Sequence, residues 1–385
     1  SGGVNLLPHA RKLWTSRRRE WVASTEASPY LSIVVASRND NYAGGQEARF
    51  TSHVALLSRS LLARGCKPSA ELIYVDWNPP AEKPPLRALV EDGLKRGAKD
   101  WKQPCTEPFK VRVITASREL HKKLQSQGHV SSAPMAEYFA KNIGIRSALG
   151  EYVLATNFDG VFSPALADFL AFQKLQPDAF YMSSLRFSTE EPSRTLQRPV
   201  AKAAKDISTQ SLNTTRYHGT PYMRSVSYRP ELVEAAHSAF QSVCINGDNG
   251  TAILQDGKYW DYQAGDFVLA ARSAWHKVLA YPEVEFTFGI DSSILCKFSG
   301  AGLRPVVIMY PCFIVHQHHE VRVNPNARPM VEAEKICDRV AANPSVAGLH
   351  TSQRDPESWG EHADGEITVD EIPSTSWHGE GRAGY

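Results

Sequence analysis

Residues 31–36, LSIVVA, form an unbroken apolar, β-branched run that stops abruptly at Ser37-Arg38-Asn39-Asp40. A strand that is apolar on both faces has to be covered on both, which points to a parallel sheet lying between helices. A helical stripe follows over Arg49–Arg64, with Phe50, Val54, Leu57 and Leu61 three or four residues apart. The second run, Glu71–Val75, stops at Asp76-Trp77-Asn78-Pro79-Pro80, and the third is Val111–Ala116. Ala133–Leu149 then carries Met135, Phe139 and Ile143 along one stripe, with Gly150 placed to end the helix. The fourth run, Tyr152–Thr156, delivers Asn157-Phe158-Asp159 at its end. Strand and helix in alternation predict an α/β fold with a mostly parallel sheet flanked by helices. Ligands of such sheets sit beyond the carboxyl ends of the strands, so the polar residues there are the candidate site.

A chain of 385 residues suits one large α/β domain with appendages, the expectation adopted, or two smaller ones. Hydrophobic residues at 42% and charged residues at 22% exclude disordered and fibrous classes for most of the length. With a net charge of +2, and with Arg17–Arg19 reading as a solvated helix end, no nucleic-acid partner is expected. No stretch approaches the roughly 20 apolar residues of a membrane span. The opening Ser1-Gly2-Gly3 reads as an expression scar that leaves room for a removed leader or anchor. With such an anchor the expected compartment is the secretory pathway or Golgi lumen, and otherwise the cytoplasm. Cys66, Cys105, Cys244, Cys296, Cys312 and Cys337 include no Cys-x-x-Cys pair, which argues against a zinc site and leaves disulfides and buried thiols both open. Asn213 and Asn249 head glycan-acceptor sequons.

The expected organisation is an N-terminal extension over 1–29, a catalytic domain over 30–323 and a partly flexible C-terminal extension over 324–385. Within the domain, a donor half covers 30–160, a polar insertion 184–219 and an acceptor half 260–323. The insertion reads equally as a lid or as a tolerated surface loop. Order is expected to return at Trp260–Ala271, at a helix near Ser273–Leu279, at Asp291–Phe298 and at a strand over Pro305–Met309. Beyond about Asn343 the Gly, Pro, Ser and acidic content suggests a loosely held tail.

The stretch AKNIGIRSALGEYVLATNFD resembles the pattern of the GT-A glycosyltransferases of family 2. There an Ala-Arg-Asn-x-Gly helix, an Ala-x-Gly-Glu-Tyr junction and an apolar strand lead into an Asp-x-Asp metal motif. The resemblance implies a single GT-A domain with a Rossmann-like, mostly parallel sheet, and places Lys141 where the family has arginine, facing the donor diphosphate. Asn142 matches, Asn157 replaces the first acid, and Asp159 matches the metal-binding one. By themselves Asn157 and Asp159 read as turn residues before Gly160. In extended backbone both would point to one side of the sheet edge. Ser37, Arg38 and Asp40 would border the nucleoside and Asp76 would hold the base or ribose; each acid here also reads as a helix or turn cap.

YQAGDFVLAARSAWHKVLAYPE and GIDSSILCKFSGAGLRPVVI resemble the acceptor half of the same family. Ala280 stands for the family's glycine and Ile290 for its glutamate, which leaves Asp291 as the candidate catalytic base or, on the local reading, a helix N-cap. Asp266 could contact the donor sugar or the acceptor, or brace a turn. Late in the chain His316, His318 and His319 follow the apolar run Met309–Val315. In several GT-A enzymes a late histidine completes the metal shell, and His316 or His319 matches that placement. In extended backbone His316 and His318 would face one way and His319 the other.

The function implied is transfer of a sugar from a UDP- or GDP-sugar to a carbohydrate or glycoconjugate hydroxyl, with inversion. Manganese or magnesium would be the cation, since carboxylate oxygens and diphosphate suit hard divalent ions. The alternatives are a non-catalytic nucleotide- or sugar-binding relative and a sugar nucleotidyltransferase. The second would need a Gly-rich phosphate loop after the first strand, and Gly44-Gly45 is too little.

Overall fold

The computed structural model describes residues 28–99, 101, 105, 108–172, 175–183, 186–188, 254–255, 258–259, 265–284, 290–308, 312–317, 319, 331–343, 359–360 and 365–377. The expected N-terminal helix, most of the 184–219 insertion, His318 and both sequons lie outside the described residues.

The run at 31–36 becomes strand β1 (Leu31–Ser37), and all seven of its residues are buried, as a strand covered on both faces must be. β2 (Ala70–Trp77) and β3 (Lys110–Ala116) add to it in parallel on one side, and β4 (Tyr152–Thr156) in parallel on the other. The chain therefore leaves β1 outward through β2 and β3 and returns to its opposite side. This reversal of direction is the switch point at which open α/β sheets bind ligands. Beyond β4 lie β10 (Phe267–Ala271), antiparallel to it, then β6 (Ala179–Ser183) and β11 (Arg304–Ile308). The order in the eight-stranded sheet is β11-β6-β10-β4-β1-β2-β3-β13.

A small second sheet has the order β5-β12-β7, from β5 (Gly160–Phe162), β12 (Ile314–His316) and β7 (Arg186–Ser188). Its antiparallel register sets His316 opposite Gly160, bringing a late segment against the end of β4. β8 (Leu254–Gln255) and β9 (Lys258–Tyr259) pair antiparallel as a separate ribbon.

Eight described helices accompany the strands: α1 (Gln46–Leu62), α2 (Leu86–Ala98), α3 (Arg118–Ser126), α4 (Glu137–Ser147), α5 (Pro164–Phe172), α6 (Arg272–Lys277), α7 (Ile290–Gly300) and α8 (Val331–Ala342). None is long and apolar enough to cross a membrane. α4 packs on β1 and β2 and is buried without a break from Tyr138 to Ile145. A helix enclosed on all sides carries Lys141 and Asn142 into the interior.

Two features differ from the sequence-based expectation. Helix α4 ends at Ser147, capped by Ala148 in extended conformation, so Gly150 does not terminate it. Gly150 instead lets two backbones meet: its N–H donates to Ser32 Oγ at 2.8 Å, and an added Cβ would lie 2.6 Å from Ser32 N. The C-terminal segment is also part of the sheet. β13 (Ile367–Glu371) pairs antiparallel with β3, and Trp377 stacks on Phe109 at 4.9 Å, both rings buried. ITVDE reads as polar because an edge strand is only half covered, yet it shields the exposed edge of β3. The boundary expected at 323 does not separate these segments from the domain.

Of the two cysteine readings, disulfides hold: Cys66 pairs with Cys105, Cys296 pairs with Cys337 to tie α7 to α8, and Cys312 is disulfide-bonded as well. Gly150→Ala is expected to destabilise the fold by about 1–3 kcal/mol through overpacking against Ser32. Urea unfolding checks this, and an unshifted midpoint would mean that the β4 approach can relax.

Candidate functional site

The register pairs Ser37 with Asp76, so the ends of β1 and β2 present them side by side. Asp76 is 1% exposed. Its Oδ2 accepts the Leu86 N–H at 3.0 Å, while Oδ1 has no partner. Burial pushes its carboxyl up to about 6, against the opposing Leu86 hydrogen bond and Arg38 charge. Asp76 therefore anchors the start of α2 and also offers a buried, unpartnered oxygen. Arg38 Nε donates to Asn78 O and its Nη1 to Asp40 Oδ2, both at 2.8 Å. Ser37 Oγ accepts from Gln46 Nε2 at 3.3 Å. Ser37, Arg38, Asp40 and Asp76 thus lie together along one rim at the ends of β1 and β2.

Asn157 and Asp159 do not face the same way. Gly160 N–H donates to Asn157 O at 3.1 Å, closing a turn directly after β4, so the alternation of an extended strand no longer applies. Asp159, 9% exposed, turns towards α1 and the β12 end. Its Oδ1 accepts from Arg49 Nε at 3.1 Å, and its Oδ2 lies 3.3 Å from His319 Nε2. His316 joins through the β12–β5 pairing, and its ring centroid is 5.0 Å from that of His319. The parity argument that set His319 apart from His316 fails for the same reason, because β12 ends at His316. Among the described residues, one potential ligand atom from each of Asp159, His316 and His319 lies within 4.8 Å of the others. Burial alone would raise the Asp159 pKa; the His319 hydrogen bond and the charges of His319, His316 and Arg49 outweigh it and hold the carboxyl low.

Lys141 does not face a diphosphate. It is fully buried, and its ammonium donates to Glu137 Oε1 at 2.7 Å, Asn157 Oδ1 at 2.8 Å and Gly265 O at 3.1 Å. Three donors meeting three acceptors leave none for a ligand. Asn142 is likewise engaged: its Nδ2 donates to Tyr281 O at 2.8 Å and Glu283 Oε1 at 3.1 Å, and its Oδ1 accepts Tyr281 N–H at 3.0 Å. It holds the 281–283 turn in place. Asn157 Nδ2 donates to Asp266 Oδ1 at 3.2 Å, and Asp266 is 4% exposed. Asp291, partly exposed, lies in the first turn of α7, which begins one residue earlier at Ile290. A Cβ on Gly265 would come within 2.9 Å of Asp291 Oδ2, so the absent side chain admits the carboxylate beside Asn157 and Asp266.

Sequence reasoning missed Arg49, Glu137 and Gln317. Glu137 stands four residues before Lys141 on one helix, a spacing that signals an ion pair. Gln317 Nε2 donates to Arg49 O at 3.0 Å and Phe158 O at 3.2 Å, bracing the turn from behind. For Arg49 no signal exists, because a charged residue beside an apolar stripe is normally solvated.

No protein-family model matches the sequence, and no curated protein matches it. Among solved structures the chain is similar to a mannosyltransferase from Pyrobaculum calidifontis in complex with GDP-Man and Mn2+, at 12% identity over 89% of this chain and 84% of that one, with a TM-score of 0.35. It is also similar to S. aureus TarS 1–349 in complex with UDP-GlcNAc, at 11% identity over 85% and 68%, with a TM-score of 0.43. Identities and scores this low leave the reading of the site to its own residues.

Asp76 generates a pH-dependent prediction. Its folded-state pKa of about 6 lies above the ordinary value of 3.8, so its contribution to stability is present below pH 4 and lost as pH rises through 6. The loss is on the order of 3 kcal/mol. Urea unfolding of wild type and Asp76→Asn from pH 4 to 7 should show wild type losing ground to the variant across that window; a constant difference would contradict the buried carboxyl.

Proposed function

We propose that the protein is a metal-dependent glycosyltransferase of the GT-A type, moving a sugar from a UDP- or GDP-sugar to a hydroxyl of a carbohydrate or glycoconjugate. The observation that carries the reading is the meeting of Asp159, His316 and His319 beyond the β4 end, beside the β1/β4 switch point. One carboxylate and two imidazoles suit manganese better than magnesium, which prefers oxygen alone. A cation held there would offset charge on the departing diphosphate. Ser37, Arg38, Asp40 and the open oxygen of Asp76 would border the nucleoside.

On this reading Asp291 is the base. The acceptor oxygen forms its bond to the anomeric carbon as the bond from that carbon to the diphosphate oxygen breaks, and Asp291 takes the hydroxyl proton. Direct displacement inverts the anomeric centre. Asp266, fixed by Asn157, would orient the sugar between Asp291 and the leaving group. The disulfides fit an oxidising compartment such as the secretory lumen. A non-catalytic binding role is the second reading, favoured by Ile290, which is fully buried where the resemblance expects an acid.

A panel of UDP- and GDP-sugars with and without manganese, read as nucleotide release, tests the proposal. Asp159→Asn should abolish manganese-dependent release. Asp291→Asn should lower turnover about 10²- to 10⁴-fold while donor binding persists. Donor binding without release from any panel member would favour the binding module, and no binding at all would overturn both readings.

A further inference from the structure

Arg49 is 1% exposed, and its guanidinium reaches three acceptors on two segments. Nε donates to Asp159 Oδ1 at 3.1 Å, Nη2 to Tyr42 O at 2.8 Å, and Nη1 to Gly44 O. Its cationic centre also lies 5.8 Å from the Phe158 ring, within the same turn as Asp159. One side chain thus joins the turn after β4 to the loop between β1 and α1.

That loop is an uphill conformation. Asn41, Ala43, Gly44 and Gly45 all have positive φ, at 59°, 55°, 72° and 62°. For Asn41 and Ala43 this is the left-handed region, which a residue with a Cβ holds only when its surroundings impose it. Local contacts on the loop include Gly44 N–H to Asn41 O at 3.0 Å, Arg49 N–H to Gly45 O at 3.1 Å, and Tyr42 N–H to Asp40 Oδ1 at 3.1 Å and to Gln46 Oε1 at 2.7 Å. The Arg49 side chain links two loop carbonyls to the turn after β4. The loop begins at Asp40, on the nucleoside rim, and carries Tyr42 to the other side, where its ring packs edge-on to His319 at 5.7 Å. Tyr42 remains 39% exposed and borders the space between the rim and the Asp159 group.

We infer that Arg49 is a positioning residue with two tasks: it engages Asp159 Oδ1 so that Oδ2 is the oxygen left towards His319, and it staples the 41–45 loop as a preformed wall of the donor site. The inference rests on the metal reading of Asp159 given above. A simple charge-balancing role would be served equally by lysine. The staple would not, because a single ammonium on a flexible stem lacks the rigid fork that spans Asp159, Gly44 and Tyr42 at once.

The test separates the two tasks with Arg49→Lys and Asp159→Asn, read by hydrogen exchange at the 41–45 amides and by calorimetry with manganese alone and then with UDP or GDP. Arg49→Lys should keep manganese affinity within about threefold yet speed exchange at 41–45 at least tenfold and weaken nucleotide binding about tenfold. Asp159→Asn should lose manganese and keep the loop protected, because the amide oxygen still accepts from Nε. Unchanged loop exchange in Arg49→Lys, or a loop released equally by Asp159→Asn, overturns the inference. If Arg49→Lys fails to fold, Tyr42→Ala at the exposed tip carries the test: nucleotide affinity should fall while manganese affinity holds, and unchanged nucleotide affinity overturns the wall. Wild-type protein that binds no manganese removes the metal reading and this inference together, whereas manganese binding with a loop indifferent to Arg49 removes the inference alone.

Discussion

A fully buried ammonium needs acceptors on every N–H, and Lys141 meets that need by drawing three segments together. Glu137 comes from one turn earlier in α4, Asn157 from the end of β4, and the Gly265 carbonyl from the entry to β10. The Tyr138 and Tyr281 rings lie 5.5 and 5.8 Å from the charge and exclude water around it. Removing any of these acceptors would leave part of a buried charge unsatisfied, so the junction of α4, β4 and β10 is energetically tied to this one cation. Asn142, the next residue, extends the junction to the 281–283 turn, where Glu283 also accepts the Gly360 N–H at 2.7 Å. The 281–283 turn is thus placed by the same helix that packs on β1 and β2.

Across the 157–160 turn stands a second buried cation, and the two divide the work. Lys141 takes Asn157, and Arg49 takes Asp159. The turn lets residues two apart serve opposite groups: one made of Asp266 and Asp291, the other of His316 and His319. Gln317 closes the back of the turn, its own N–H reaching Asp159 O at 2.8 Å. A loop between a strand and a small sheet is thereby held as firmly as an element of the core.

The strands of the central sheet were legible because burial on both faces leaves a continuous apolar signal, which LSIVVA and YVLAT both carry. Candidate residues at strand ends were legible for a related reason, since a polar residue directly after a buried run has to sit at an edge. What was not legible follows from chemistry without a period. Side-chain direction at 157–159 and 316–319 was read from extended geometry, and a turn and a strand end cancelled that geometry. The burial of Arg49 and Lys141 was not legible because burial of a cation depends on acceptors from distant segments, and no local pattern records those. β13 was hidden by its half-exposed composition, and Gly150 by its resemblance to a helix stop.

Asn157 is an amide where the pattern this stretch resembles has an acid, and its surroundings account for it. Lysine can only donate, so the amide oxygen must face Lys141, and the Nδ2 group is then left to donate to Asp266 Oδ1 at 3.2 Å. A carboxylate at this position would keep the first contact and lose the second. It would also set a second negative charge against Asp266, with Asp291 beside Gly265 and Glu137 already on the same ammonium. A further like charge in that cluster would be unfavourable. An amide avoids this: it accepts from the cation, donates to Asp266 and adds no charge. Asp159, on the other side of the turn, instead faces two imidazoles and a guanidinium.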